Sequence, residues 1–239
     1  MSTPRGELEI LRDPQTLGER VARWMTDLAC AGHGNFAVAL SGGSTPRLLY
    51  RALASDRFAR DFPWSRVHWF WGDERCVPPS DLMSNYHMTW TEMLSHAPIP
   101  DSHIHPIPTE GLSAEQSALA YEAELRAFYG ADRLGPERPL FHLVLLGLGV
   151  DGHTASLFPG SPALDERDRW TAAVADKTPE RITLTYAALE SSAYTAFLVS
   201  GAEKRAALRG LVNGEQGFPA ARLRPQGELR IFVDAAAAG

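Results

Sequence analysis

Three short, largely apolar runs constrain this chain more than any other feature: FAVAL at 36–40, VHWFWGD at 67–73, a strand running into a loop, and FHLVLLG at 141–147. Each ends within two residues of a glycine, at Gly42, Gly72 and Gly147. Five or six apolar residues without polar alternation suit a strand covered on both faces, and such strands belong to parallel sheets flanked by helices. The intervening segments supply the helices. Over 14–31, Leu17, Val21, Trp24, Met25 and Leu28 recur at spacings of three and four and mark one apolar face. Residues 46–53 start on Pro46, which a first helical turn tolerates, and 82–95 also reads as helical. At 113–129, Ser113 and Gln116 form a capping box, and a last helix is expected over 202–211.

Further short strands are expected at 8–11, about 171–175, 181–185, 194–200 and 229–234. Pro98, Pro100, Pro106 and Pro108 punctuate an extended connection around Ile104, and the terminal AAAAG reads as a frayed end. Strands alternating with helices predict an α/β fold with a mainly parallel sheet. Without a repeat, a low-complexity tract or a long linker, residues 1–239 are expected to form one domain.

The net charge of −6 argues against nucleic acid as a partner, since phosphate binding over a long footprint needs a basic surface. A small anion is still compatible, because a few local cations outweigh the global sign. Two cysteines, Cys30 and Cys76, imply no disulfide framework. The opening MSTPRGELEI lacks the basic and apolar blocks of a signal peptide, and no run approaches the roughly 20 apolar residues of a membrane helix. A cytoplasmic protein without membrane contact is expected, a monomer or weak homo-oligomer.

The loops after the apolar runs carry the chemistry. SGGSTP at 41–46 combines Gly42, Gly43, Ser44 and Thr45 with a helix start. Glycines let backbone N–H groups approach an anion, and the helix end adds its positive dipole. A serine-capped turn is the bland alternative. The segment is neither a P-loop nor a dinucleotide fingerprint, because the spacings of both are missing. In WGDERCVP at 71–78, Asp73, Glu74 and Arg75 follow a strand. A surface salt-bridge cluster is the ordinary reading, but the carboxyl ends of parallel strands converge on one crevice, so Asp73 and Arg75 should face the same space as SGGSTP. Cys76 reads as a packing thiol.

The run GLGVDGHTASLFPG at 147–160 brings Asp151 and His153 to that crevice, with Thr154 and Ser156 opening a short helix. A histidine titrating near neutral pH suits a general base, and a neighbouring carboxylate can orient it. A capping histidine is the structural alternative. Arg181, opening RITLT, and Lys204, in SGAEK, are ordinary surface cations singly, but together they supply the charge a phosphate dianion needs. His103 and His105 alternate along an extended segment with no ligand spaced to complete a metal site, so no metal is expected. The six tryptophans are read as core.

Side by side, SGGSTP (41–46), GDERCVP (72–78), SNY (84–86), GLGVDGHTASLFPG (147–160), RITLT (181–185) and SGAEK (200–204) resemble the α/β type of the 6-phosphogluconolactonase family over nearly the whole length. The resemblance implies a single-domain, modified Rossmann-like three-layer sandwich, related to glucosamine-6-phosphate deaminases, that needs no cofactor. It implies that the phosphate of a sugar-phosphate lactone sits on Gly42, Gly43, Ser44 and Thr45 with Arg181 and Lys204. His153 would activate water, Asp151 and Asp73 would orient or tune it, Arg75 would stand by the developing oxyanion, and Asn85 would meet sugar hydroxyls. Two rival readings are an amino-sugar-phosphate deaminase and a non-catalytic sugar-phosphate sensor. Deaminases carry a glutamate five residues after the histidine, where this chain has Phe158. A sensor of this type usually brings a DNA-binding segment, and the residues before the first glycine-rich loop offer no helix-turn-helix.

Overall fold

The computed structural model describes residues 6–239. Half of the opening stretch read above against a signal peptide, residues 1–5, therefore lies outside the described residues. In chain order the elements are β1 (Glu7–Leu11), α1 (Pro14–Ala31), β2 (Phe36–Leu40), α2 (Ser44–Leu53), β3 (Val67–Trp71), β4 (Asp73–Arg75), α3 (Asn85–Glu92) and α4 (Ala114–Tyr129). They continue with β5 (Phe141–Leu146), β6 (Thr171–Val174), β7 (Arg181–Leu184), α5 (Tyr186–Glu190), β8 (Ser192–Val199), α6 (Arg205–Asn213), α7 (Pro219–Arg222), β9 (Glu228–Asp234) and α8 (Ala235–Ala238). Short 3₁₀ turns fill several connections, including Leu94–His96 and Ala202–Lys204.

Six strands form one sheet in the order β1-β9-β8-β5-β2-β3, and every pairing in it is parallel. The three apolar runs lie side by side in it as β5, β2 and β3: β2 and β3 are buried at every position, and β5 at every position but His142. Burying one such side chain is worth about 1.5–3 kcal/mol, so these strands dominate the core. Helices α1 and α2 pack on one another, while α4 packs against β6 and β7. The Tyr121 hydroxyl fastens α4 to β3, accepting from Trp71 N–H at 2.9 Å and donating to Trp71 O at 3.0 Å. The expected helix faces and the Ser113–Gln116 capping box are present.

From β2 the chain passes outward to β3; from β5 it passes the other way, to β8. Adjacent strands β2 and β5 thus form the switch point where an open parallel sheet parts its loops and leaves a crevice.

Several expectations needed correction. Asp73–Arg75 is not a loop. It is an antiparallel strand in a second sheet, β4-β7-β6, which also takes the strands expected near 171–175 and 181–185. Gly72 is the transfer point: its N–H donates to Leu40 O and its carbonyl accepts from Leu184 N–H, both at 2.8 Å. It therefore closes one sheet and opens the other. Helix α2 begins at Ser44, two residues before Pro46, because Gly43 caps it with φ +106°. The 82–95 helix shortens to α3, where Ser84 Oγ accepts from His87 N–H. Thr154 and Ser156 open no helix; Thr154 and Leu157 bridge a tight turn with Ala155 at φ +47°. The alanine tail is a helical turn, α8, capped by Asp234 and burying Ala237. Trp90 is 40% exposed, unlike the other five tryptophans.

Candidate active site

The loops after β2, β5 and β8 and the strand pair β4·β7 enclose a cavity of about 280 Å³, near the lower end of the range for small-molecule sites. Gly42, Gly43, Ser44, Thr45, Asp73, Arg75, Asn85, His153, Arg181 and Lys204 all line it. Of the candidate residues only Asp151 does not.

Asp151 stands behind the histidine. Its Oδ1 lies 2.5 Å from His153 Nδ1 and also accepts the His153 backbone N–H at 3.1 Å. Partial burial raises the Asp151 pKa, but the bonds from His153 outweigh it, and the net shift is downward. An ionised carboxylate only accepts, so Nδ1 carries the ring proton and Nε2 is the basic nitrogen. Nε2 has no protein partner among the described residues. Gly149 makes this placement possible: a Cβ there would lie 2.0 Å from His153 Nδ1.

Asp73 makes no hydrogen bond to His153. Buried Ser156 donates to its Oδ2 at 2.6 Å, and Asn85 Nδ2 donates to its backbone O at 2.9 Å and its Oδ1 at 3.3 Å. Asn85 is pressed against the glycine loop, since a Cβ on Gly42 would fall 2.0 Å from its Oδ1. The Asn85 amide is therefore already engaged with Asp73.

Arg75 and Arg181 are direct cross-strand partners in β4·β7. Like charges placed opposite one another destabilise a sheet, yet neither arginine forms an ion pair among the described residues. Both Nε atoms are buried without a hydrogen-bond partner. Burial, and then the positive charge of Arg75, lower the Arg181 pKa, while Asp73 and Glu74 act in the opposite sense. A buried donor left unmatched costs about 1–3 kcal/mol, so the pair stands beside the cavity at a cost to the fold. On the facing side, Thr45 Oγ1 and Ser200 Oγ lie 2.6 Å apart and bridge the loops after β2 and β8.

Three supporting residues escaped the sequence reading. In the sequence Ser156 reads as part of a helix, and Ser200 stands within SGAEK without a motif of its own. Glu74, 2% exposed, accepts from the N–H groups of Arg75, Asn85 and Tyr86 and from Ser84 Oγ. Burial raises its pKa, with those bonds acting against the rise. Glu74 thereby ties β4 to the start of α3. Its signal was its place inside DER, between two cavity residues, where strand alternation turns it away from them.

His103 and His105 do turn the same way, both stacking on His68. Among the described residues no group of three or more His, Cys, Asp or Glu is arranged to hold a metal ion, and no helix is long and apolar enough to cross a membrane.

A carboxylate-held histidine and two arginines without ion-pair partners, at the switch point of a parallel sheet, define an α/β protein equipped for acid–base chemistry beside an anion. The chain belongs to the family of glucosamine-6-phosphate isomerases and 6-phosphogluconolactonases, whose profile matches residues 12–231. It is 40% identical to a 6-phosphogluconolactonase of Synechocystis, over 95% of both chains. It is 37% identical to a 6-phosphogluconolactonase of the rat, over 98% of this chain and 93% of that one. The solved 6-phosphogluconolactonase of Thermotoga maritima superposes with a TM-score of 0.80 at 30% identity, over 95% of this chain and 99% of that one.

Proposed function

We propose that this chain hydrolyses 6-phospho-D-glucono-1,5-lactone to 6-phosphogluconate, the lactone-opening step of the oxidative pentose phosphate pathway, in the cytoplasm. The observation that carries the reading is the His153–Asp151 pair, which leaves Nε2 as the basic nitrogen on the cavity wall. His153 Nε2 takes a proton from water as the water oxygen attacks the lactone carbonyl carbon. Arg75 steadies the oxyanion that forms. The ring C–O bond then breaks, and the imidazolium returns its proton to the departing sugar oxygen, which becomes a hydroxyl. Asp151 stabilises the imidazolium between these steps. Asp73, fixed by Ser156 and Asn85, sets the electrostatics around the attacking water.

The phosphate lies on the amides and hydroxyls of Gly42, Gly43, Ser44 and Thr45, where α2 begins, with Lys204 and Arg181 supplying charge. Asn85 meets the sugar through whichever of its lone pairs the Asp73 contact leaves open. A deaminase reading is disfavoured by Phe158. Its ring centre lies 4.4 Å from that of His153, tilted by 38°, at the position where the deaminase pattern carries a glutamate.

The test is a coupled assay with freshly generated lactone, corrected for spontaneous hydrolysis, with glucosamine 6-phosphate run in parallel. Lactone turnover by the wild type and loss of at least about 10²-fold in His153→Ala, with native circular dichroism, are expected. Turnover of glucosamine 6-phosphate instead would establish the deaminase, and no turnover of either would favour a sensor. Activity of His153→Ala within a few-fold of wild type would remove the base assignment.

A further inference from the structure

Phe218 occupies the space of two missing side chains. A Cβ on Gly152 would fall 2.0 Å from Phe218 Cδ1, and a Cβ on Gly210 would fall 2.3 Å from its Cδ2 and Cε2. Gly152 belongs to the turn that carries His153, and its φ of +78° is one that glycine adopts without strain. Gly210 belongs to α6, which starts directly after Lys204. One ring is thus clasped between the His153 turn and the helix that follows the phosphate-side lysine.

Besides the Phe158 ring against that of His153, the turn itself has little else behind it. Its own bonds close on themselves, Gly149 N–H to His153 O at 2.8 Å and Gly152 N–H to Gly149 O at 3.0 Å. Its tip faces water, with Val150 58% exposed. Support comes from the Phe218 segment: Ala220 N–H donates to Gly152 O at 2.9 Å, and the Tyr186 hydroxyl donates to Pro219 O at 2.7 Å. Tyr186 is itself buried at the start of α5.

We infer that Phe218 is a positioning residue for the reaction, its ring wedged between Gly152 and Gly210 so that the 149–153 turn holds His153 Nε2 in line with the lactone. The inference rests on His153 acting as the base. Without the ring, Gly152 loses its packing partner, and the turn drifts on the Ala220 bond and the Phe158 ring. A displacement of about 1 Å at a reacting group costs on the order of 10²-fold in rate. Gly42–Thr45 belong to the loop after β2, and Gly210 lies six residues beyond Lys204, so the loss falls on kcat more than on KM.

The experiment measures kcat, KM and melting temperature for wild type, Phe218→Ala, Phe218→Leu, Tyr186→Phe and His153→Ala. Phe218→Ala should lose roughly 10- to 100-fold in kcat with KM within about twofold. Phe218→Leu, which refills part of the space, should recover most of that loss. Tyr186→Phe, which keeps the packing and deletes one bond to Pro219, should lose kcat in the same direction by a few-fold. Should Phe218→Ala fail to fold, Phe218→Leu and Tyr186→Phe decide, and wild-type kcat in both overturns the inference. So does a Phe218→Ala kcat within twofold of wild type, a KM rising as far as kcat falls, or no recovery in Phe218→Leu. An active His153→Ala would instead remove the base reading beneath it, an outcome distinct from an inactive His153→Ala beside an unimpaired Phe218→Ala.

Discussion

On one side of the cleft, the loops after β2, β5 and β8 offer backbone amides and short hydroxyls at the end of a parallel sheet. On the other, the antiparallel pair β4·β7 offers two long guanidinium side chains. The first side works by closeness and the second by charge, and the two should fail differently. Space is the limiting quantity on the glycine side. Gly42 and Gly149 are absent from the residues with left-handed φ, so alanine could adopt their backbone without strain. What forbids it is the neighbour: Asn85 Oδ1 at one site and His153 Nδ1 at the other, each 2.0 Å from the added Cβ.

The largest effect should therefore come from one added methyl group. Gly149→Ala is expected to displace the His153 ring and lower kcat/KM by at least about 10²-fold. Gly42→Ala should push Asn85 off Asp73 with a loss of similar order, while both variants keep a cooperative thermal transition. Near-wild-type kcat/KM in either variant would show that the glycine side yields, and would erase its contrast with the arginine side.

A neutral replacement on the arginine side should separate function from stability. Arg181→Gln keeps much of the length and removes one of two opposed charges. KM for the lactone is expected to rise about tenfold, the equivalent of about 1.4 kcal/mol. The melting temperature in phosphate-free buffer should hold or rise slightly, since relieving a cross-strand repulsion is worth about 0.2–1 kcal/mol. Millimolar inorganic phosphate should then raise the wild-type melting temperature more than that of the variant. A variant that melts well below wild type without phosphate would mean that the arginine pair supports the fold instead of straining it.

The two sides also differed in how far their sequence could be read. Two of the strands beneath the glycine side, β2 and β5, are almost purely apolar and closed by glycine. Their period and composition announce them, and their loops carry short motifs. The arginine side rests on strands of three and four residues, too short to set a period, so Asp73–Arg75 was read as a loop. Its contacts join distant parts of the chain: Ser156 reaches Asp73 across 83 positions. No local pattern announces such a bond. Phe218 leaves no signal for the same reason, because Gly152, one of the two glycines that define its place, lies 66 positions before it. The alanine tail has no polar face from which to infer a helix. Its order comes from Asp234, which also accepts from Gly201 N–H.

The smallest expected effect concerns what each side hangs from. The glycine side grows from β2, β5 and β8, which are interior strands, whereas the arginine side continues from β3, at the edge of the large sheet. That edge is covered by the connection after α3: Ile104 bridges Trp69, and His105 N–H donates to Trp69 O at 2.9 Å. Beneath the cover, His68 stacks on His103 with ring centres 3.9 Å apart, and its Nδ1 lies 3.0 Å from His105 Nε2. Glu124 reaches His105 Nδ1 from α4 at 2.7 Å, and the rings of Phe70 and Phe128 close the cluster. Burial, and then the neighbouring His103 and His105, depress the His68 pKa to about 4 from the ordinary 6.5. Between those values the unfolded chain binds a proton that the folded chain refuses, so stability rises with pH across the window and is lost as pH falls through it. The loss should be on the order of 1–2 kcal/mol once solvent access to the ring edge is allowed for. Hydrogen exchange at pH 5 should accordingly open β3 amides before those of β5, and His68→Gln should flatten the dependence of melting temperature on pH between 4 and 6.5. Equal loss of protection in β3 and β5, with an unchanged slope in His68→Gln, would mean that the edge supporting the arginine side is no softer in acid than the interior supporting the glycines.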